Sequence, residues 1–186
     1  MCGRFYVEED EELLEYYDQL VKQYGTESVD ALSKDEVFPS ENALVLVEQD
    51  DTLTPRIMKW GYPKWDKGII INTRIDSLHK PIYKENYEKH RCVICASGFY
   101  EWNSQHQRYA VSTGQSVLYF AGIYDKDTNA FSILTTDSIP PLSSIHHRSP
   151  VILTRNQAYQ YCKYPNHPVI HTNPEGLWMK EDTKTA

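Results

Sequence analysis

Hydrophobic periodicity divides the chain into one helical stretch followed by a long series of short strands. Between residues 9 and 24 the apolar positions Leu13, Leu14, Tyr17, Leu20, Val21 and Tyr24 recur at the helical period, with acids on the opposite face. Gly25 follows as a stop. Ahead of this helix, Gly3-Arg4-Phe5-Tyr6-Val7 predicts a short strand. Beyond it, apolar runs and alternation predict strands at 43–48, 53–60, 68–72, 92–101, 107–112, 116–124, 130–136 and 150–154. Ser112-Thr113-Gly114 and Asp125-Lys126-Asp127-Thr128-Asn129 have turn chemistry and predict hairpin loops. Short helices are predicted near 73–78, 83–90 and 155–162, and the polar tail after Trp178 is expected to fray. No repeat, low-complexity tract or linker breaks the pattern. The expectation is a single domain over residues 1–186, of the α+β class. Its sheet should be mostly antiparallel and curled towards a barrel, with a few flanking helices.

Composition narrows the classes. A chain of 186 residues has room for one real core. With 40% apolar and 24% charged residues it reads as a globule and not as a disordered chain. No run approaches the roughly 20 apolar residues of a membrane helix. Glu8-Glu9-Asp10-Glu11-Glu12, close behind the N-terminus, argues against a secretory signal. Four cysteines do not make a disulfide scaffold, so a reducing cytoplasm is the expected compartment.

The net charge of −7 argues against a non-specific coat on nucleic acid, but it is unevenly spread. Residues 1–50 carry 14 acidic and 3 basic side chains, a net −11, against +4 for the remainder. Residues 51–100 hold 9 basic and 5 acidic residues together with Trp60, Tyr62 and Trp65. Cations with flat side chains are what sequence-tolerant binding of a single strand requires.

Candidate chemistry begins at Cys2. If Met1 is removed, this residue carries a thiol and a free α-amine on adjacent carbons. Their unperturbed pKa values, about 8.5 and about 7.7–8.0, leave a useful fraction of each nucleophilic near neutral pH. An aldehyde would form an imine with the amine, and the thiol would then close a five-membered thiazolidine. No internal cysteine can do this, because its nitrogen is an amide. Such chemistry needs a proton donor and acceptor, and a glutamate among aromatic residues, such as Glu101, suits both roles.

Five compact motifs follow one another in order. They are Met1-Cys2-Gly3-Arg4-Phe5, Trp60-Gly61-Tyr62-Pro63-Lys64-Trp65, Asn72-Thr73-Arg74, Gly98-Phe99-Tyr100-Glu101-Trp102, and Ile145-His146-His147-Arg148-Ser149-Pro150-Val151-Ile152-Leu153. Together, from residue 2 to about 153, they resemble the SRAP (SOS-response-associated peptidase) family. The resemblance implies a protein that binds single-stranded DNA and captures abasic sites through Cys2 as a thiazolidine crosslink, shielding the lesion in the DNA damage response. It implies Asn72 as the residue orienting Cys2, Glu101 as general acid/base, and His146 as the partner in imine chemistry and reversal, with His147 a competing candidate. It implies DNA contacts at Arg4, Arg74 and Arg148, with Trp60 and Pro39 flanking unstacked nucleotides. Lyase-like imine chemistry, peptidase activity limited to removal of Met1, no cofactor, no metal, no membrane partner and a monomer complete the expectation. Asp76 stands where the family has Glu, and Ser149 where it has Met. Neither departure touches Cys2, Asn72, Glu101 or His146.

Three other readings remain open from the residues alone. Cys92-x-x-Cys95 with Cys162, His167 and His171 offers zinc-type ligands, although a strand over 92–101 would point the first two to opposite faces. Cys2 with a Glu and a His also suits a thiol-dependent N-terminal-nucleophile (auto)peptidase. A non-catalytic module binding single-stranded DNA is the third.

Overall fold

Ser97 interrupts the apolar run that predicts one strand over 92–101, and the fold turns on that break. The computed structural model describes residues 2–33, 35–64, 68–113, 117–165 and 176–182. In chain order the first part comprises β1 (Arg4–Tyr6), α1 (Glu11–Tyr24), α2 (Thr26–Asp30), β2 (Asn42–Gln49), β3 (Thr52–Trp60), β4 (Tyr62–Pro63), β5 (Ile69–Ile70) and β6 (Asn72–Arg74). After a 3-10 turn at Ile75–Ser77 come α3 (Pro81–Lys89), β7 (Arg91–Ala96), β8 (Gly98–Trp102), β9 (Arg108–Ser112), β10 (Leu118–Asp125) and β11 (Ala130–Asp137). A second 3-10 turn, Leu142–Ser144, precedes β12 (Arg148–Pro150), β13 (Ile152–Leu153), α4 (Arg155–Lys163) and β14 (Trp178–Glu181).

The strands form two principal sheets. The larger runs β12-β11-β3-β2-β7-β10-β13, with β6 added beside β11. Because β10 also pairs with β11, the strands β11, β3, β2, β7 and β10 close on themselves, which is the curl expected from the sequence. The smaller sheet runs β1-β8-β9-β14. The chain crosses between the sheets at Ser97. Ser97 N–H donates to Tyr6 O at 2.8 Å, its Oγ accepts from Glu8 N–H at 2.8 Å, and its carbonyl accepts from Ser112 Oγ at 2.5 Å. Gly98 follows because a Cβ there would run into the Tyr6 ring.

An aromatic cluster joins the sheets. Phe5 and Phe99 come from the smaller one, and Trp60, Phe120 and Phe131 from the larger. Phe5 lies 5.1 Å from Trp60 and 6.2 Å from Phe120, Phe99 lies 5.8 Å from Phe120, and Trp60 stacks on Phe131. Burial of each ring contributes about 1.5–3 kcal/mol. Helix α1 is capped by Asp10, whose side chain accepts from Glu12 N–H, and it buries Leu13, Tyr16 and Leu20. Leu14 instead lies at the edge of that stripe and is exposed.

Several expectations change. Gly25 ends α1 with φ +84 and a bond from its N–H to Val21 O, but α2 begins directly after it. Ser112-Thr113 is no hairpin loop, since β9 and β10 lie in different sheets, and Gly114 falls outside the described residues. The tail does not simply fray: β14 pairs with β9 from Trp178↔Ser112 to Glu181↔Tyr109. The hairpin at Asp125–Asn129 forms as predicted, with Asn129 at φ +52. Among the described residues, no helix is long and apolar enough to cross a membrane.

Candidate active site

The junction of the two sheets brings together four residues that are far apart in sequence. Cys2 and Glu101 ride on the smaller sheet, Asn72 and His146 on the larger. Strand β1 pairs with β8 through Arg4↔Tyr100, Phe5↔Phe99 and Tyr6↔Gly98. Continued one step, this antiparallel register sets Gly3 opposite Glu101, next to Cys2. Strand β6 lies parallel to β11, with Asn72 opposite Ile133. His146 follows the 3-10 turn Leu142–Ser144, and its backbone N–H bonds Leu142 O at 3.1 Å.

Cys2 is fully buried. Its carbonyl accepts a 2.7 Å hydrogen bond from Asn72 Nδ2. Asn72 Oδ1 is also buried, yet has no hydrogen-bond partner among the described residues. Burial pushes the Cys2 thiol well above its usual range, and the negative charge of Glu101 pushes it further. The Glu101 side chain is itself buried, and its Oε1 accepts from Trp102 N–H at 3.1 Å.

His146 is half-buried and stacks on His147, with ring centroids 4.4 Å apart. Desolvation lowers its pKa below the usual 6.5, opposed by the charge of Glu101. Its Nδ1 lies 3.0 Å from Arg148 N and 3.2 Å from Arg148 O, so it can accept from the amide or, when protonated, donate to the carbonyl. A cleft of about 510 Å³ opens here, lined by Glu101, Trp102, Asn103, His106, His146 and His147 among others. A buried thiol, an acid beside it, an amide holding its carbonyl and an imidazole make a set suited to moving protons around a nucleophile.

The expected DNA contacts divide. Arg4 is half-buried, with its guanidinium 4.5 Å from the Phe38 ring centroid and 5.4 Å from that of Trp102. It pairs with Glu36 at 3.2 Å, and Glu36 also takes Arg108 at 3.3 Å. Arg74 is exposed and paired with Asp76 at 2.5 Å. Pro39 is half-buried beside the exposed Phe38.

Two placements correct the expectation. Trp60 has no exposed surface: its indole N–H donates to Ile71 O at 2.9 Å and its ring is part of the core, so it offers no face to a nucleotide. Arg148 is buried too, giving its Nη2 to Thr135 O at 2.7 Å and to Thr135 Oγ1 at 3.0 Å, and its Nη1 to Asp137 at 2.8 Å. It braces β12 against β11 and presents no free guanidinium. Tyr62 is buried as well, and Trp65 lies outside the described residues.

Sequence reasoning passed over Phe38 and Trp102 as surface aromatic residues. The signal was present: Trp102 ends the Glu101 motif, and Phe38 precedes Pro39. Of the zinc-type set, Cys92 and Cys95 are buried, and burial pushes the Cys162 thiol up to about 12. His167 and His171 lie outside the described residues.

Comparison with known proteins converges on one group. The family model described as SOS response associated peptidase (SRAP) matches residues 1–173. The abasic site processing protein YoqW of Bacillus subtilis is 28% identical over 202 residues, covering 95% of this chain and 84% of that protein. The abasic site processing protein YedK of Escherichia coli is 24% identical over 177 residues, covering 88% and 80%. A crystal structure of a protein from Bacteroides thetaiotaomicron superposes with TM-score 0.75 at 20% identity, covering 97% of this chain and 91% of the other.

Proposed function

The chain belongs to the SOS response associated peptidase family, and from that premise we propose that it captures abasic sites in single-stranded DNA covalently, through Cys2, once Met1 has been removed. The observation that carries the reading is the 2.7 Å bond from Asn72 to the Cys2 carbonyl, which holds the residue's backbone beside a buried Glu101. The printed names of the relatives, abasic site processing proteins, supply the substrate class.

The protonation states order the steps. The Cys2 thiol is held protonated by burial and by Glu101, so the α-amine attacks first. Its lone pair adds to C1′ of the ring-opened sugar, giving a carbinolamine. Glu101 takes the proton that the nitrogen sheds and returns one to the departing hydroxyl, so that water leaves and an imine forms. Cys2 Sγ then adds to the imine carbon while its proton passes to the nitrogen, closing the thiazolidine. His146, which lines the cleft, hydrogen-bonds the sugar oxygen. Asn72 Oδ1, buried and unpartnered, is an acceptor for one hydrogen of the freed amine.

The test pairs intact mass with a denaturing gel. Protein confirmed to lack Met1 is mixed with an oligonucleotide bearing one abasic site. A heat-stable shifted band, mapped to the Cys2 peptide and lost in Cys2→Ala, is expected. Cys2→Ser should give an imine trappable by borohydride but no stable ring. A band undiminished in Cys2→Ala overturns the mechanism.

A further inference from the structure

The turn that carries Phe38 is fastened on both sides. Val37 bridges to β1, its N–H donating to Phe5 O at 2.7 Å. Ser40 N–H donates to Trp60 O at 2.8 Å, and Trp60 N–H donates to Glu41 O at 2.8 Å. Within the turn, Phe38 N–H donates to Glu41 Oε2 at 2.8 Å while Glu41 N–H returns to Phe38 O at 3.1 Å. Ser40 accepts φ +77 to close it. A segment tied down this fully has no need to expose a large ring, yet Phe38 is 37% exposed. The ring is also fixed in orientation. The Arg4 guanidinium covers one of its faces at 4.5 Å and lies in turn 5.4 Å from the Trp102 ring. Glu36, held by Arg108, keeps Arg4 in place.

We propose that Phe38 is a nucleobase platform, taking a base adjacent to the captured sugar on the ring face opposite Arg4. The base extends an existing stack of Phe38, Arg4 and Trp102, and Trp102 also lines the cleft that holds Glu101. The inference rests on the single-strand reading above and adds the surface that would grip the strand. Every base has a π-face, so the platform discriminates little between sequences. Pre-organisation lowers the ordering cost of binding, because neither the ring nor the turn must be fixed on encounter. Trp60 thereby has a different place from the one expected: it anchors the turn from within the core, while the ring beside Pro39 meets the ligand.

The probe is a single-stranded oligonucleotide with an unreactive tetrahydrofuran abasic analogue and 2-aminopurine on either side of it. Binding to the wild-type protein should quench the 2-aminopurine on one side. Phe38→Ala and Phe38→Leu should lose the quenching and bind about 5-fold or more weakly, the lower end of what one stacked base contributes. Phe38→Tyr should restore both, and Ile82→Ala, an exposed position on α3, should behave as wild type. Phe38→Leu retains apolar cover over Arg4, so its agreement with Phe38→Ala separates stacking from folding. Equal affinity and quenching in wild type, Phe38→Ala and Phe38→Leu overturns the platform alone, provided the wild type binds. A wild-type protein that binds no such strand removes the single-strand reading and the platform together.

Discussion

Replacing Asn72 by alanine separates the stability of the fold from the readiness of its nucleophile. The change strands the Cys2 carbonyl, which loses its 2.7 Å donor. It also removes a buried Oδ1 that has no partner. An unpaired buried polar atom costs about 1–3 kcal/mol, so the stranded carbonyl and the removed Oδ1 enter with opposite signs and the unfolding free energy should move by no more than about 2 kcal/mol in either direction. Capture should suffer more. On the proposed mechanism Asn72 holds the Cys2 carbonyl and also accepts from the freed amine, two bonds that would together position the nucleophile with about 1–3 kcal/mol. Their loss slows single-turnover capture roughly 5- to 150-fold. Urea unfolding gives the first quantity, and quenched denaturing gels on protein lacking Met1 give the second. Asn72→Asp keeps the shape but sets an acceptor against the carbonyl, so it should be slower than alanine. Capture unchanged in both variants refutes the tether. A fall beyond about 1000-fold in a fully folded alanine variant refutes it in the other direction, making Asn72 a participant in proton transfer.

Glu101→Gln should slow capture by about 100- to 10,000-fold, the range of general acid–base contributions, while binding to an unreactive abasic analogue is retained. Because Glu101 opposes the depression of the His146 pKa, the same variant should titrate His146 at still lower pH, read by NMR of the imidazole. Arg148→Lys should cost about 1–3 kcal/mol in urea unfolding, through lost bonds to Thr135, and leave the salt dependence of DNA binding unaltered. A salt slope shallower by about one would instead make Arg148 a phosphate contact. His90 and His146 both have pKa values depressed below 6.5, in each case chiefly by desolvation. The unfolded chain therefore binds more protons just below that pH, and stability should fall as pH drops from about 6.5 to the depressed values. Thermal unfolding across that window should show a shallower fall in His90→Asn.

What the sequence makes legible depends on how local its cause is. Helix α1 can be read from its period, and the β10–β11 hairpin from its turn residues, because both are set by neighbours in the chain. The split of 92–101 cannot: Ser97 is an unremarkable residue until Tyr6, Glu8 and Ser112 satisfy its polar groups from other strands. The pairing of β14 is likewise a tertiary gain for a polar segment. At the candidate site, motif order singles out Cys2, Asn72, Glu101 and His146 as candidates, and the fold brings these distant segments to one junction. Trp60 and Arg148 lie within motifs that look like surface chemistry, yet they meet internal partners, Ile71 and Thr135. Residue type alone does not distinguish an indole in the core from one awaiting a base.

The division of the site between two sheets has a mechanical consequence. Cys2 and Glu101 belong to the β1–β8 pair, which Ser97 and Ser112 bind into one unit, whereas Asn72 and His146 move with β11. A sub-global opening along the aromatic seam would separate these halves without breaking a single strand pairing within either. Reactivity should then disappear at lower denaturant or pressure than the backbone structure does.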